Sequence, residues 1–270
     1  MTNPIISFIF LYWNAEDWTL KSLESINKYM TLPYELIIVN NGSDEFIVEA
    51  VQELAEEIKK TELCVNLVIV NNETNLGVSK GFNAGRKYVN PETQYVSYFA
   101  NDWAITPGWD KAMIQAINEH PKYGMMTSCT NWGTGSMMHS TINPVRWQEP
   151  IFLDVNLINF WEELEKITEK QSKNNLLTPN TFVCVGFFLK KQCYDDVGDF
   201  DERIQTANDV WFTRVANKLG WISMTCWYTY IQHGFHQSFS QINDPKTFSN
   251  IKPKEAQDFK IMAADPRCNI

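Results

Sequence analysis

Leu36-Ile37-Ile38-Val39 runs directly into Asn40-Asn41-Gly42-Ser43-Asp44, and this change of character decides the fold. Four aliphatic residues in a row read as a strand buried on both faces. The amides, glycine and acid behind them read as a polar turn at its carboxyl end. The change recurs downstream. Leu67 to Val70 precedes Asn75-Leu76-Gly77-Val78-Ser79-Lys80-Gly81-Phe82-Asn83-Ala84-Gly85, and Tyr98-Phe99 leads into Ala100-Asn101-Asp102. Strands that end in such groups give an open α/β sheet a ligand crevice at its carboxyl edge.

Working outward, Ile5 to Leu11 reads as a first strand and Trp18 to Met30 as an amphipathic helix through Leu23, Ile26 and Met30. Ile47, Val51, Leu54 and Ile58 mark the face of the next helix. Leu67 to Val70 is a strand, Ser79 to Val89 a helix and Tyr95 to Phe99 a strand. Strands alternating with helices predict a predominantly parallel central sheet flanked by helices. After the Pro107-Gly108 turn comes a helix carrying Met113, Ala116 and Ile117. Met125 to Pro150 reads as irregular and as a substrate loop. Phe160 to Lys173 reads as a charged helix, Phe182 to Leu189 as a strand, Val210 to Leu219 as a helix stopped by Gly220, and Trp221 to Ile231 as extended chain.

With 270 residues, the chain has the length of one large domain; 44% hydrophobic and 20% charged residues make it globular. A formal charge of -9 argues against a general nucleic-acid surface. Ile5 to Leu11 is too short for a signal core, and no run reaches the roughly 20 apolar residues of a membrane span. A cytoplasmic protein is expected, either free or peripheral to a membrane. The six cysteines lack CxxC spacing, so buried free thiols are expected in place of a zinc cluster or a disulfide framework.

Taken together, the three polar turns resemble those of the family 2 glycosyltransferases of the GT-A fold, over roughly residues 5–110 and 180–240. The resemblance implies an inverting enzyme that moves a sugar from a nucleoside diphosphate sugar to an acceptor hydroxyl, assisted by Mn2+ or Mg2+. It implies one domain over residues 1–240, with a nucleotide-sugar half (1–110), an acceptor and catalytic half (111–240) and a C-terminal extension (241–270). Tyr12-Trp13-Asn14 resembles the loop beside the nucleotide, where either ring could stack on the base or belong to the core. Asn40 stands where the family usually has a base-contacting aspartate, followed by Asn41. An amide donates as well as accepts, so base preference could differ. Asn75, Gly77, Lys80 and Gly81 resemble the segment under the sugar diphosphate. Gly81 and Gly85, four residues apart, share a helical face and fit either a close ligand approach or helix packing.

Ala100-Asn101-Asp102 matches the family's acidic tripeptide with its first carboxylate missing. Thr106-Pro107-Gly108-Trp109 supports that register. The resemblance makes Asp102 a metal ligand, with Asn101 beside the donor. His233, after the last long strand, is the second metal ligand, and His236 a pyrophosphate contact. Oxygen ligands suit both cations, and imidazole suits manganese better.

Val185-Gly186-Phe187-Phe188-Leu189 and Val197-Gly198-Asp199-Phe200-Asp201-Glu202 resemble the family's acceptor-side stretch. Its following acidic pair reads Asn208-Asp209 here, which makes Asp209 the general base. A helix-end charge is the alternative reading. Asp199, Asp201 and Glu202 compete for the base role; Asp199, Asp201 and Asn208 are also acceptor contacts, together with Trp132 and Trp147, while Trp161 is a further aromatic candidate. The expected partners are a nucleotide sugar and a carbohydrate or other hydroxyl-bearing acceptor, a nucleic acid being disfavoured by charge. Two other functions remain open: a catalytically silent nucleotide-sugar-binding protein and a nucleotidyltransferase.

Overall fold

The computed structural model describes residues 3–131, 153–171, 176–179, 186–234 and 245–268. Strands β1 (Ile6–Tyr12), β2 (Tyr34–Asn41), β3 (Cys64–Asn72) and β4 (Tyr95–Ala100) alternate with helices α1 (Glu16–Tyr29), α2 (Glu45–Lys59) and α3 (Val78–Arg86). The chain continues through β5 (Trp103–Ile105), α4 (Trp109–Asn118), β6 (Tyr123–Thr130), α5 (Phe160–Gln171), β7 (Leu177–Pro179), β8 (Phe187–Lys190), α6 (Lys191–Val197), α7 (Asn208–Lys218), β9 (Ile222–His233) and α8 (Pro245–Ala264).

Among the described residues these strands form one nine-stranded sheet, ordered β3-β2-β1-β4-β8-β6-β9-β5 with β7 against β9. The first four strands are parallel, as βαβ crossovers require. Beyond β4 the sheet is mixed: β6 and β9 are parallel, whereas β8 runs antiparallel to both β4 and β6. Alternation along each strand divides two cores. Phe8, Phe10, Leu36 and Ile38 face α1, α2 and α4, and Ile9, Leu11, Ile37 and Val39 face α3, α6 and α7.

Most of the expected elements form within a few residues of their expected bounds, but the irregular segment does not begin at Met125. Residues up to Thr130 belong to β6, in the middle of the sheet. Its serine and two threonines bury inside the protein: Ser128 Oγ accepts the indole N–H of Trp109 at 2.8 Å. A polar strand of this kind carries no apolar alternation. Residues 132–150, with Trp132 and Trp147, lie outside the described residues, as do Phe182 to Val185 and His236. The charged helix α5 buries Phe160, Leu164 and Ile167 and leaves Glu162 and Glu169 exposed, while Glu165 accepts the Tyr29 hydroxyl at 2.8 Å. Cys64, Cys129, Cys193, Cys226 and Cys268 are buried free thiols; Cys184 lies outside the described residues.

The C-terminal segment shares the second core, where Met262 and Cys268 are buried with Trp211 and Phe212 of α7. On the same side of the sheet, α3 uses its glycines to approach closely. A Cβ on Gly81 would lie 2.6 Å from Leu11 Cδ1, and one on Gly85 would lie 2.5 Å from Ile9 Cγ2 and 2.8 Å from Val39 Cγ2. The shared glycine face therefore packs on β1 and β2. Leu11 can swing its side-chain end aside, whereas the branched Ile9 and Val39 are stiff at χ1. Gly85→Ala should lower unfolding stability by about 1–3 kcal/mol in urea titration, and Gly81→Ala by less. Equal losses at the two sites would contradict this account of the packing.

Candidate functional site

At the carboxyl edge of the parallel strands, amides hold the loops in place. Asn40 Oδ1 accepts the Ser43 N–H at 2.9 Å while its Nδ2 donates to Asn71 Oδ1 at 3.2 Å. Asn41 Nδ2 donates to Asn75 Oδ1 and to the Gly77 carbonyl, and Asn41 Oδ1 accepts from Asn72 Nδ2 and the Leu76 N–H. Asn75 Oδ1 also accepts the Gly77 N–H at 2.9 Å. These bonds fix the turn into α3 and use much of the capacity that a base or phosphate would engage. Gly77, with φ at +81°, adopts a conformation that L side chains rarely take. Lys80 is exposed on the first turn of α3.

The turn after β1 is strained and tightly held. Asn14 and Ala15 both lie in the left-handed region, at φ 50° and 54°. Asn14 N–H donates to Ser43 Oγ, and its side-chain oxygen accepts the Asp44 N–H, both at 2.9 Å. Asn101 turns inward, donating from Nδ2 to the Asn14 carbonyl at 3.2 Å and to Thr19 Oγ1 at 2.7 Å. The middle residue of the tripeptide thus ties the first and fourth strand ends together. Tyr12, 1% exposed and packed on Phe10, belongs to the core; Trp13 is half-buried.

Asp102 and His233 meet, Oδ2 to Nε2, at 3.2 Å, and both are buried. Sequence separates them by more than a hundred positions. Pairing of β5 with β9 brings them together, with Trp103 opposite His233. The Gly234 N–H donates to the Asp102 carbonyl. Asn131, just past β6, clamps the His233 main chain: its Nδ2 donates to the His233 carbonyl at 3.0 Å and its Oδ1 accepts the His233 N–H at 2.8 Å. A Cβ on Gly234 would meet the Trp18 ring at 2.5 Å, so only glycine lets β9 end there. Asn131 and Gly234 escaped the sequence reading. The one follows a strand hidden in serine and threonine, and the other adjoins a histidine that drew the attention.

A cavity of about 660 Å³ opens beside this pair, lined by the starts of α1 and α2, by residues 153–156 and by His233 and Gly234. Glu16, Asp17, Asp44 and Asp154 make it acidic, and the Phe46 ring on its wall is 57% exposed. Among the described residues no group of three or more His, Cys, Asp or Glu converges to hold a metal. Asp102 and His233 make a two-residue donor set of one carboxylate and one imidazole.

The other candidates sit around α7. Asp209, half-buried in its first turn, accepts the Val210 N–H at 2.8 Å. Burial pushes its carboxyl up to about 6, against the lowering effect of its backbone hydrogen bonds, with Glu255 adding to the rise. Asp199 is exposed and pairs with Arg86 Nε at 2.9 Å. Asp201 is bound by Arg203 and Arg267, and the hydrogen bond from Arg203 holds its carboxyl below the usual range. That pairing suits an anchored carboxylate better than a proton acceptor. Glu202 is exposed and Asn208 half-buried. Trp161 packs edge-on against Tyr29, with Lys21 Nζ 4.9 Å from its ring. Helix α3 reaches this region too: Ser79 Oγ donates to the Ile204 carbonyl, and Asn83 exchanges two 2.9 Å hydrogen bonds with the Phe200 main chain.

The family model described as "Glycosyl transferase family 2" matches residues 7–195. No curated protein sequence matches the chain. Among solved structures, a mannosyltransferase from Pyrobaculum calidifontis in complex with GDP-Man and Mn2+ is similar, with a TM-score of 0.62 and 14% identity, covering 99% of this chain and 66% of that one. GalNAc-T7 with UDP, GalNAc and Mn2+ has a TM-score of 0.59 and 12% identity, covering 85% and 44%. S. aureus TarS has a TM-score of 0.54 and 18% identity, covering 83% and 36%. The chain thus spans between about a third and two thirds of these proteins' lengths. At such identities the likeness shows a shared GT-A fold.

Asn101 tests the amide scaffold directly. An ionised carboxylate there would lose both donated bonds and face the Asn14 carbonyl. Asn101→Asp should therefore lower stability at neutral pH by about 1–3 kcal/mol in a denaturant melt. An unchanged midpoint would mean that the tie carries no weight.

Proposed function

The chain belongs to glycosyl transferase family 2, and on that premise we propose that it transfers a sugar from a nucleoside diphosphate sugar to an acceptor hydroxyl, with inversion and with help from Mn2+ or Mg2+. The observation that carries the proposal is the Asp102–His233 pair beside the acidic cavity. A diphosphate approaching four carboxylates meets repulsion unless a cation accompanies it. One carboxylate and one imidazole fit Mn2+, whose remaining positions phosphate and water can fill. Asp102 and His233 would hold that cation, which when bound offsets charge on the departing diphosphate. Similar folds carrying UDP with Mn2+ and GDP-Man with Mn2+ support the donor class.

Asp209 supplies the base. The acceptor oxygen forms its bond to the anomeric carbon as the bond to the diphosphate breaks, and the hydroxyl proton passes to the Asp209 carboxylate. A carboxyl raised to about 6 is mostly ionised at neutral pH, yet more basic than an ordinary aspartate. The missing carboxylates at Ala100 and Asn208 favour one second reading, a donor-binding protein without transfer. A panel of UDP, GDP and dTDP sugars with and without Mn2+ separates them. Transfer with diphosphate release supports the enzyme, binding alone supports the rival, and pyrophosphate release would make it a nucleotidyltransferase. Asp102→Asn and His233→Ala should each weaken Mn2+-supported donor binding in calorimetry by about tenfold or more and leave metal-free nucleotide binding nearly unchanged. Wild-type Mn2+ dependence in both variants would move the metal elsewhere.

Asp209 also predicts a trade between stability and activity. Its folded value, about 6, lies above the unfolded value of 3.8, so the native state holds this proton more tightly. The stabilisation is complete below the unfolded value and is lost as pH rises through about 6. Asn keeps an acceptor for the Val210 N–H but never ionises. Asp209→Asn should raise the unfolding midpoint at about pH 7.5, lose that gain near pH 4, and cut transfer by about 10²–10⁴-fold with donor affinity unchanged. A variant with full transfer would pass the base role to another carboxylate.

A further inference from the structure

Helix α7 begins without a cap of its own: Ala207, at the N-cap, offers no side-chain oxygen. The acceptor comes from the far end of the chain. Asp258, on α8 and 1% exposed, takes the N–H groups of Gln205 at 3.1 Å, Thr206 at 2.7 Å and Ala207 at 3.0 Å, and the Thr206 hydroxyl at 2.8 Å. A buried carboxylate is tolerated because these donors satisfy it, and its charge also suits the amino end of a helix. The bonds fall on the three residues that lead into Asn208 and Asp209.

Asp258 is one of several anchors of α8 and the segment behind it. Met262 and Cys268 bury against Trp211 and Phe212, Trp211 Nε1 donates to Asp265 Oδ2 at 3.3 Å, and Arg267 pairs with both Asp265 and Asp201. Those contacts anchor the segment independently of Asp258, whose own hydrogen bonds all fall on the turn. Both α7 and α8 lie past residue 195, outside the span matched by the family. The loop before α7 is fixed from the other side by Ser79 on the Ile204 carbonyl, so the 204–207 turn is gripped from α3 and α8 together.

We propose that Asp258 is a positioning residue for sugar transfer, holding the 205–207 turn so that the first turn of α7 presents Asp209 to the acceptor. The proposal rests on the reading of Asp209 as the base. A shift of about 1 Å in a reacting group costs on the order of 10²-fold in rate, so a loosened turn reaches chemistry before it reaches donor affinity.

Asp258→Asn keeps the size and sets an amide N–H against a backbone N–H. In that variant kcat should fall about tenfold or more with the donor KM within about twofold. Hydrogen exchange at the amides of 205–207 should quicken about tenfold, with those of β1 unchanged. Wild-type kcat overturns the proposal, and so does a fall in kcat without faster exchange at 205–207. Should Asp258→Asn fail to fold, Thr206→Val removes only the hydroxyl bond. Its kcat should fall about twofold and its 205–207 exchange quicken about threefold, and wild-type values for both overturn the proposal. The parent reading fails separately: wild-type protein that transfers no sugar from any donor in the panel removes the reaction, whatever the exchange rates show.

Discussion

Helix α3 lies close against β1 and β2 because Gly81 and Gly85 present no side chain there, and the arrangement of the second half depends on that closeness. Two glycines set the helix against Leu11, Ile9 and Val39. Its other side then falls within reach of residues 200–204, where Asn83 and Ser79 bind main-chain groups across more than a hundred positions of sequence. A thicker helix would push those amide and hydroxyl groups away from the turn that leads into α7. One steric fact at the sheet thus governs where a carboxylate on a different helix can stand.

The parallel half of the fold was legible because its physics is local. β2 announces itself by the unbroken apolar run Leu36 to Val39, β4 by an apolar stretch broken at Ser97, and α2 by a stripe at Ile47, Val51 and Ile58. What stayed hidden obeys longer-range rules. β6 carries Thr127, Ser128 and Thr130, yet it lies mid-sheet because its hydroxyls find partners such as the Trp109 indole. Asp102 and His233 were linked in the sequence only through the family resemblance, since the pairing of β5 with β9 that joins them involves a strand of three residues. Asp258 carried no signal, because its partners are mostly backbone N–H groups, which any sequence can supply, with the Thr206 hydroxyl lying more than fifty positions away.

The candidate site is rich in amides where a nucleotide-sugar crevice could carry carboxylates. Asn40, Asn41, Asn75 and Asn101 spend hydrogen bonds on other asparagines, on loop backbone and, for Asn101, on the Thr19 hydroxyl. Neutral groups can crowd at strand ends without the mutual repulsion that acids would suffer. The charge that remains is concentrated on Asp102 and around the cavity mouth, while Asp209 stands apart on α7.

The buried thiols have a practical consequence. Cys64, Cys129, Cys193, Cys226 and Cys268 are all enclosed, and burial pushes Cys129 up to about 12 and Cys64 and Cys226 up to about 11. A thiol in that state is nearly inert toward alkylating reagents, which attack the thiolate. Cys193 and Cys268 sit in the α3–α7 core, whereas Cys64, Cys129 and Cys226 sit in the other. Labelling kinetics followed by peptide mass would therefore time the opening of each side of the sheet separately. The chain carries its own pair of clocks for partial unfolding, with no probe to be introduced.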